Sequence, residues 1–411
     1  MNTPKPKVNA IYCDHMASED EIYAALRRAT LPLTKSWEKL RKAKRIGIKF
    51  NQAFDPDKIV YFHDQFQELV SINVARATLR LLREETSAEL FCVEISVFKR
   101  DRDPEPGLTF PLLDLLNEYD VKFMDGNLPP HKMVETPGGG QLFKQYLVPA
   151  DIVEADAFVD VQKMKNHLFS GVTLCMKNLF GLLPQEPYGR SRAYFHHLVR
   201  IPYMLADLGR IFDPTLNIID GLVGQAGREW GGEGRVGNVL LAGDQVVATD
   251  ACATSLMGHD PKGDWLTGCY HRDRNPLLVA SEVGFGTVDL EKIDFQSEVE
   301  GPVAEFHTDM VDPMETIISW HKTTSEQALY YRDHMKDFID KYAGEYILLQ
   351  QGKVQWHDKE SVFHGSRRDL AGDDPNQALW FKYVDPEEEE GEHYEIYERD
   401  LERVKSIELV K

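Results

Sequence analysis

The sequence predicts an α/β protein: two α/β lobes with mostly parallel sheets around a cleft, plus a small C-terminal α+β domain. Three observations carry that expectation. Strand-like and helix-like segments alternate from residue 44 to residue 125, and the alternation returns after residue 157. Beyond residue 310 the pattern changes to charged helices followed by a hairpin signal. Alternating strand and helix marks a layered fold, because parallel strands need a crossover and a helix supplies it. The length of 411 residues suits two or three domains of about 150 residues each. The expected segments are 1–40, an N-terminal helical segment; 41–150, the first lobe; 151–310, the second lobe; and 311–411, a helical linker and the small C-terminal domain.

The first 40 residues read as helical and peripheral, with an acidic start at Asp20-Glu21. Arg45 to Phe50 alternates apolar and polar residues, as a strand should. A loop containing Asp55-Pro56-Asp57 follows. Ile72, Ala75, Leu79 and Leu82 then form one helical stripe. Leu90–Ile95 is a buried-strand run, Leu112 to Tyr119 a helix, and Val121–Met124 another strand. Pro137–Gly140 is a turn and Leu142 to Val148 a strand. Ala157 to Val161 is a strand that feeds a loop holding Lys163, Lys165, Asn166 and His167. Residues 172–180 read as a helix closed by Gly181, and a long amphipathic helix follows through Ile201, Leu205, Leu208 and Phe212. Leu216 to Asp220 is a strand, and Gly221 to Gly237, with seven glycines, an irregular loop. Asn238 to Val247 suggests a hairpin at Gly243-Asp244, and Thr249 or Asp250 a helix cap. Asn275-Pro276 opens another helix. Residues 345–356 form a hairpin, Ala378 to Val384 a strand, and 385–392 a solvated acidic loop.

The net charge of −20 argues against nucleic acid or anionic lipid as a partner, since phosphate backbones demand clustered cations. No run approaches the ~20 apolar residues of a membrane-spanning helix. The N-terminus lacks the apolar centre of a signal peptide. Five cysteines without a CxxC pair support neither a disulfide framework nor an iron–sulfur cluster. A reducing cytoplasm is the expected compartment, and homo-oligomerisation is left open.

The richest segment for chemistry is Asp160 to Gly181. Ligands gather at the carboxyl ends of strands in open α/β sheets, and helix N-termini there offer amides to anions. Lys163, Lys165 and Lys177, with His167 and Asn178, would line a pocket for a carboxylate or phosphate. His167 is the acid–base candidate, with Lys165, Lys177 and Asp220 beside it, because imidazole titrates near physiological pH. Two nearby ammonium groups would hold its pKa down and keep it neutral. The alternative is a surface lysine cluster over a packed histidine. Asp220 and Asp250 are the candidate ligands for a divalent metal, with Glu229, Glu233 and Asp244 between them; a turn and a helix cap are the plainer roles. His196-His197 sits near Arg190 and Arg192, which could clamp an anion. Adjacent residues on a helix point about 100° apart, so the two histidines would not share one ligand. The segment 224–237 lacks GxxxxGK[ST] and the GxGxxG context, which leaves a glycine-rich lid or a surface loop.

The motifs resemble those of the family catalogued as domain of unknown function 362. They stand here as Gln162 to His167, Gly171 to Gly181, Ile219-Asp220-Gly221, Gly243-Asp244 through Ala251, and Gly258-His259-Asp260-Pro261. Ile46 to Asn51 matches the early strand of the family, and brings Lys49 and Asn51 in as substrate-binding candidates. Gln162 replaces the usual proline, and the ferredoxin cysteines of many relatives are absent. The resemblance implies that Lys165, His167, Lys177, Asn178, Asp220 and Asp250 sit together. The expected function is an enzyme acting on a small anionic metabolite. The alternatives are a non-catalytic binding or assembly protein, and an electron-transfer relative without its cluster.

Overall fold

The computed structural model describes residues 4–52, 59–95, 110–184, 192–359 and 380–408. The expected loop at Asp55-Pro56-Asp57, Arg190, and the first residues of the strand expected from Ala378 lie outside the described residues.

Among them, one nine-stranded sheet runs through the molecule. Its order is Asp294–Ser297, Lys7–Tyr12, Glu233–Gly243, Leu216–Ala226, Ala157–His167, Arg45–Phe50, Glu89–Glu94 and Lys122–Asp125, with Gly171–Thr173 added beside the end of Ala157–His167. The five strands from Leu216–Ala226 to Lys122–Asp125 are parallel. Glu233–Gly243 is antiparallel to both its neighbours. The α/β class and the mostly parallel sheet are those read from the sequence. The two expected lobes, however, share this sheet. Ala157–His167 is buried along its whole length, and a strand so deep needs a partner on each edge. Arg45–Phe50 and Leu216–Ala226 supply them.

Helices cover both faces, as a parallel sheet requires. Glu19–Thr30, Thr34–Leu40 and Ile72–Glu85 pack on one face against Ile46, Ile48, Val159, Val161 and Ile218. Arg200–Phe212, Val246–Leu256 and Pro276–Glu282 pack on the other against Phe158, Ile219 and Leu241. Local chemistry sets their starts. Ser18 and Glu21 form a reciprocal capping box. Ser71 caps Ile72–Glu85. Asn275 caps the helix that Pro276 opens.

Several elements differ from expectation. The expected loop at 162–167 is the end of the strand Ala157–His167, and the expected helix at 172–180 opens as the strand Gly171–Thr173 before the short helix Cys175–Asn178. The N-terminal segment contributes the strand Lys7–Tyr12, whose inner residues are buried on both faces and so show no alternation. Gly221 to Gly237 is mostly two long paired strands, with a loop only at 227–232. The glycines there serve close approach. A Cβ on Gly224 would lie 2.5 Å from the Met164 carbonyl oxygen, and one on Gly237 2.4 Å from that of Gly221. Gly243-Asp244 is accordingly a strand end, and Gln245 caps the helix that follows.

The C-terminal residues form a three-stranded sheet, Lys353–Asp358, Tyr346–Gln350 and Trp380–Tyr383. Helices Met314–Asp333 and Glu395–Glu408 pack beside one another. Tyr346, Trp380 and Phe381 share an apolar cluster with Leu179 and Tyr194 of the main body. The acidic run 385–392 is not wholly solvated. Glu392 is buried, 2.7 Å from Lys382 Nζ and 3.3 Å from Arg200. Burial alone would raise its pKa; Lys382 and Arg200 reverse that and hold it at about 2. The two helices are joined by His321, whose Nδ1 lies 3.0 Å from Asp400 and whose Nε2 lies 2.8 Å from the Arg272 carbonyl. Burial works against its charge, but Asp400 raises its pKa to about 9.

Two outcomes follow from these contacts. Gly224→Ala should lower stability by about 1–3 kcal/mol, the usual cost of overpacking, read as a lower urea midpoint. An unchanged midpoint would contradict the close strand approach. Because the folded-state pKa of His321 is raised, its contribution is complete below the unfolded value near 6.5 and is lost as pH rises toward 9. The stability gap between the native protein and His321→Gln should therefore shrink by a few kcal/mol across that window. A gap that does not change with pH would remove the charged His321–Asp400 pair.

Candidate functional site

Lys163, Lys165 and His167 alternate along the last residues of the central strand, so their side chains leave the same face. The neighbouring strand makes room for them. Asp220 pairs with Lys163 and Gln225 with Lys165, so residues 221–224 stand opposite Met164 alone. Such a bulge bends the strand away and breaks the ladder locally.

Lys163 Nζ donates to Asp220 Oδ2 at 2.8 Å, and both side chains are fully buried. Asp220 also accepts from the amides of Ser71 (2.8 Å) and Leu222 (3.2 Å). Burial lowers the pKa of Lys163, and Asp220 offsets part of that. This pair ties the helix start at Ser71 to two strands.

Lys165 is different. Its Nζ donates to the carbonyl oxygens of Glu68 (2.9 Å) and Glu229 (3.4 Å) and lies 4.3 Å from the centre of the Trp230 ring. Among the described residues, no carboxylate forms an ion pair with it. Burial pulls its pKa down to about 8, against the opposing pull of Glu68 and Glu229. Glu68 is itself buried, accepts from the Gly231 amide, and has its pKa raised by burial.

His167 is 3% exposed. Its Nδ1 accepts from the amides of Phe169 (3.0 Å) and Ser170 (3.4 Å). An Nδ1 that accepts carries no proton, so the neutral ring keeps its proton on Nε2. Burial is the largest cause of its strongly lowered pKa; Lys177, Lys165 and Arg272 add to it. The expected direction holds, with burial rather than the lysines leading. Around it stand His196, with ring centres 5.5 Å apart, and Glu229, whose Oε2 is 3.8 Å from Nδ1. The ligand atoms of His167, His196 and Glu229 all lie within 4.8 Å of one another. Lys177 sits 4.3 Å over the Phe180 ring, and Arg272 4.6 Å over that of Phe169.

The structure thus brings Lys165, His167 and Lys177 into one neighbourhood, closed rather than open: the loop at 227–232, bearing Trp230, lies over Lys165. A cavity of about 260 Å³ lies elsewhere, lined by residues such as Met133, Leu147, Leu183 and Glu390. Other expected site residues have protein partners. Asn178 donates to Asp160 Oδ1 at 2.6 Å. Lys49 pairs with Glu94 at 2.6 Å, both buried. Asn51 links two segments through its backbone, while its side-chain oxygen is buried and has no hydrogen-bond partner among the described residues. Asp250 accepts from the amides of Cys175 (3.0 Å) and Met176 (2.7 Å), and burial raises its pKa to about 7. Asp220 and Asp250, expected as metal ligands, thus serve a lysine and a turn of backbone. Their carboxylates meet donors that lie 57 and 75 residues away in the chain, which spacing along the sequence does not reveal. Arg190 and the side chain of Arg192 lie outside the described residues. His196 turns toward His167, while His197 is buried with its ring 3.1 Å from the Leu198 carbonyl. Sequence reasoning missed Glu68, Trp230 and Arg272, which no local motif announces.

If Lys163 and Asp220 form a structural pair, Lys163→Met should cost roughly 3–5 kcal/mol, because it strands a buried carboxylate. Adding Asp220→Asn should recover part of that loss in the same urea titration. A single variant as stable as the native protein would return Lys163 to the list of groups that meet a ligand.

The likenesses to known proteins are partial. A "Thylakoid-associated protein sll1697" of Synechocystis sp. is 28% identical over 157 residues, which cover 37% of this chain and 45% of that protein. The lactate racemase apoprotein from Thermoanaerobacterium thermosaccharolyticum overlaps with a TM-score of 0.33 and 14% identity, across 62% of this chain and 59% of that one. The family described as "Domain of unknown function (DUF362)" matches residues 59–255, the stretch that holds Lys163, Lys165, His167, Lys177 and Glu229, and over that stretch the chain is similar to that family.

Proposed function

We propose that the end of the central strand binds a small anionic metabolite, a carboxylate or a phosphate, and that His167 serves proton transfer there. One observation carries this reading. A buried neutral histidine stands among three cationic side chains, Lys165, Lys177 and Arg272, in a chain of net charge −20. Concentrating positive charge there costs self-repulsion, which a bound anion relieves. The tautomer refines the role of His167. With its proton on Nε2, the ring acts as a hydrogen-bond donor or general acid toward the ligand, rather than as a base. A neutral imidazole with a depressed pKa makes an effective electrophile of this kind. Glu229, 20% exposed in its side chain, is the carboxylate placed to receive a proton.

A second reading has its own support: His167, His196 and Glu229 form a donor set that suits a divalent ion, with a position left open for substrate. It requires His167 to release the Nε2 proton or its amide partners. A binding protein that performs no turnover would use the same anion contacts. Five buried free thiols fit a reducing compartment such as the cytoplasm. No helix among the described residues is long and apolar enough to cross a membrane.

The test is a thermal-shift screen at low salt with inorganic phosphate, pyrophosphate and short carboxylates. A ligand at a hundred times its Kd adds about 2.7 kcal/mol, a rise of several degrees. Lys177→Gln should weaken the effect by about tenfold, the scale of one lost charge contact, while His167→Gln should retain it. A screen in which no anion raises the melting temperature would overturn the reading. One equivalent of zinc kept through dialysis, and lost in His196→Ala, would select the metal instead.

A further inference from the structure

The cover over Lys165 is the short loop 227–232, which joins two long paired strands. Its first residue is fastened by backbone. The Gly227 amide donates to the His307 carbonyl (2.7 Å), and the Gly227 carbonyl accepts from the Asp309 amide (2.9 Å). Beyond it the ties run through side chains. Gln225 donates to the Arg228 carbonyl (2.7 Å), Arg228 pairs with Asp309 (2.6 Å), and Gln67 donates to the Gly232 carbonyl (3.0 Å). Glu229 is anchored by its carboxylate to the Leu168 amide (3.1 Å). The Gly231 amide is latched to Glu68 Oε1. A loop held in this way, without a strand ladder, belongs to the parts of a fold that open locally. Gly231 has a φ of 67° and open space where a Cβ would stand, so the backbone conformation alone calls for glycine there. The closed arrangement is also imperfect. Glu68 Oε2 is buried and has no hydrogen-bond partner among the described residues, and an acceptor left in that state favours any movement that returns it to water.

What the loop covers is a cation. An ammonium carries three donors. Lys165 Nζ donates to the carbonyls of Glu68 (2.9 Å) and Glu229 (3.4 Å), and the centre of the Trp230 ring lies 4.3 Å away. The face of an indole is a neutral stand-in for an anion. Its quadrupole attracts an ammonium, but more weakly than a charged oxygen does. Trp230 is 37% exposed, so the ring has solvent beside it to move into.

We infer that the Trp230–Gly231 part of this loop is a self-inhibiting cover: the indole holds the Lys165 ammonium in the place of the anionic ligand, and the ligand binds by displacing the ring. The inference rests on the anion-binding reading of this site and gives the site an internal competitor. Glu229, anchored to the Leu168 amide, stays where it is, and the movement falls on Trp230 and the Gly231 latch. Competition has a sign. Where the ring must lift first, the apparent affinity is reduced by the fraction of molecules already open. Removing the ring therefore tightens binding. A lid that closed over the ligand would behave in the opposite way, because its contacts would be lost with the ring.

The experiment titrates inorganic phosphate and pyrophosphate, by calorimetry at low salt, into the full-length native protein, Trp230→Ala and Trp230→Phe. Trp230→Ala should bind the same anion about fivefold more tightly, the scale of one cation–π contact, and Trp230→Phe should fall between the two. A second measurement uses native protein labelled with 5-fluorotryptophan. The fluorine resonance that is missing from Trp230→Phe should move when the anion saturates the site, while that of Trp37, buried in the helix Thr34–Leu40, should stay. Equal or weaker binding by Trp230→Ala, or a Trp230 resonance that the bound anion leaves in place, would overturn the cover and leave the anion site standing. Binding by Trp230→Ala alone would support both. If neither anion binds either protein, the anion site fails and the cover with it. Should Trp230→Ala not fold, the fluorine shift in the native protein decides.

Discussion

The constraint on which the structure turns is the burial of ionisable groups at the end of one central strand. Lys163, Lys165 and His167 all lie below about 3% exposure. Burying an unpaired charge costs several kcal/mol, so each group needs its own answer. Lys163 has Asp220. Lys165 has carbonyls and an indole, and a lowered pKa. His167 takes the neutral form, with Nδ1 held by two amides. The bulge in the neighbouring strand and the close approach at Gly224 are what allow these side chains to fit inside. A chain indifferent to what happens here would place leucine or valine at these positions and avoid the difficulty.

The remainder of the molecule steadies that strand end. The sheet pairs it on both edges, and helices close both faces. Asp250 reaches from the helix Val246–Leu256 to hold the amides of Cys175 and Met176, and so fixes the start of the short helix Cys175–Asn178 that carries Lys177. The C-terminal residues are joined to the same body. His321 binds the Arg272 carbonyl from one side, while the Arg272 guanidinium reaches Phe169 and Asp312 on the other. The C-terminal part is thus continuous with the surroundings of the site.

Much of this was legible in the sequence, for local reasons. The stripe from Ile72 to Leu82 and the Asn275-Pro276 start each carry their own pattern and form as read, while the strand expected to end at Val161 runs on through the expected loop to His167. Lys165, His167 and Lys177 converge because a strand end and a following turn lie within a dozen residues. The failures are non-local. Glu68 and Lys165 are 97 residues apart, and the carboxylates of Asp220 and Asp250 spend their acceptors on distant donors. The glycines between 221 and 237 read as a loop because composition alone does not separate a flexible backbone from one pressed against its neighbour. Lys7–Tyr12 escaped notice because a strand buried on both faces loses its period of two.

The central claim is that His167 is a neutral donor in a field of cations that accepts an anion. Nitrogen-15 NMR of the histidine rings measures this directly. Through a titration from pH 8 down to pH 5, the His167 resonances should keep the pattern of a neutral ring protonated on Nε2, and should shift on addition of phosphate or a short carboxylate without changing tautomer. A ring that gains its second proton near the ordinary value of about 6.5, or that carries its proton on Nδ1 and ignores every anion offered, would contradict the account.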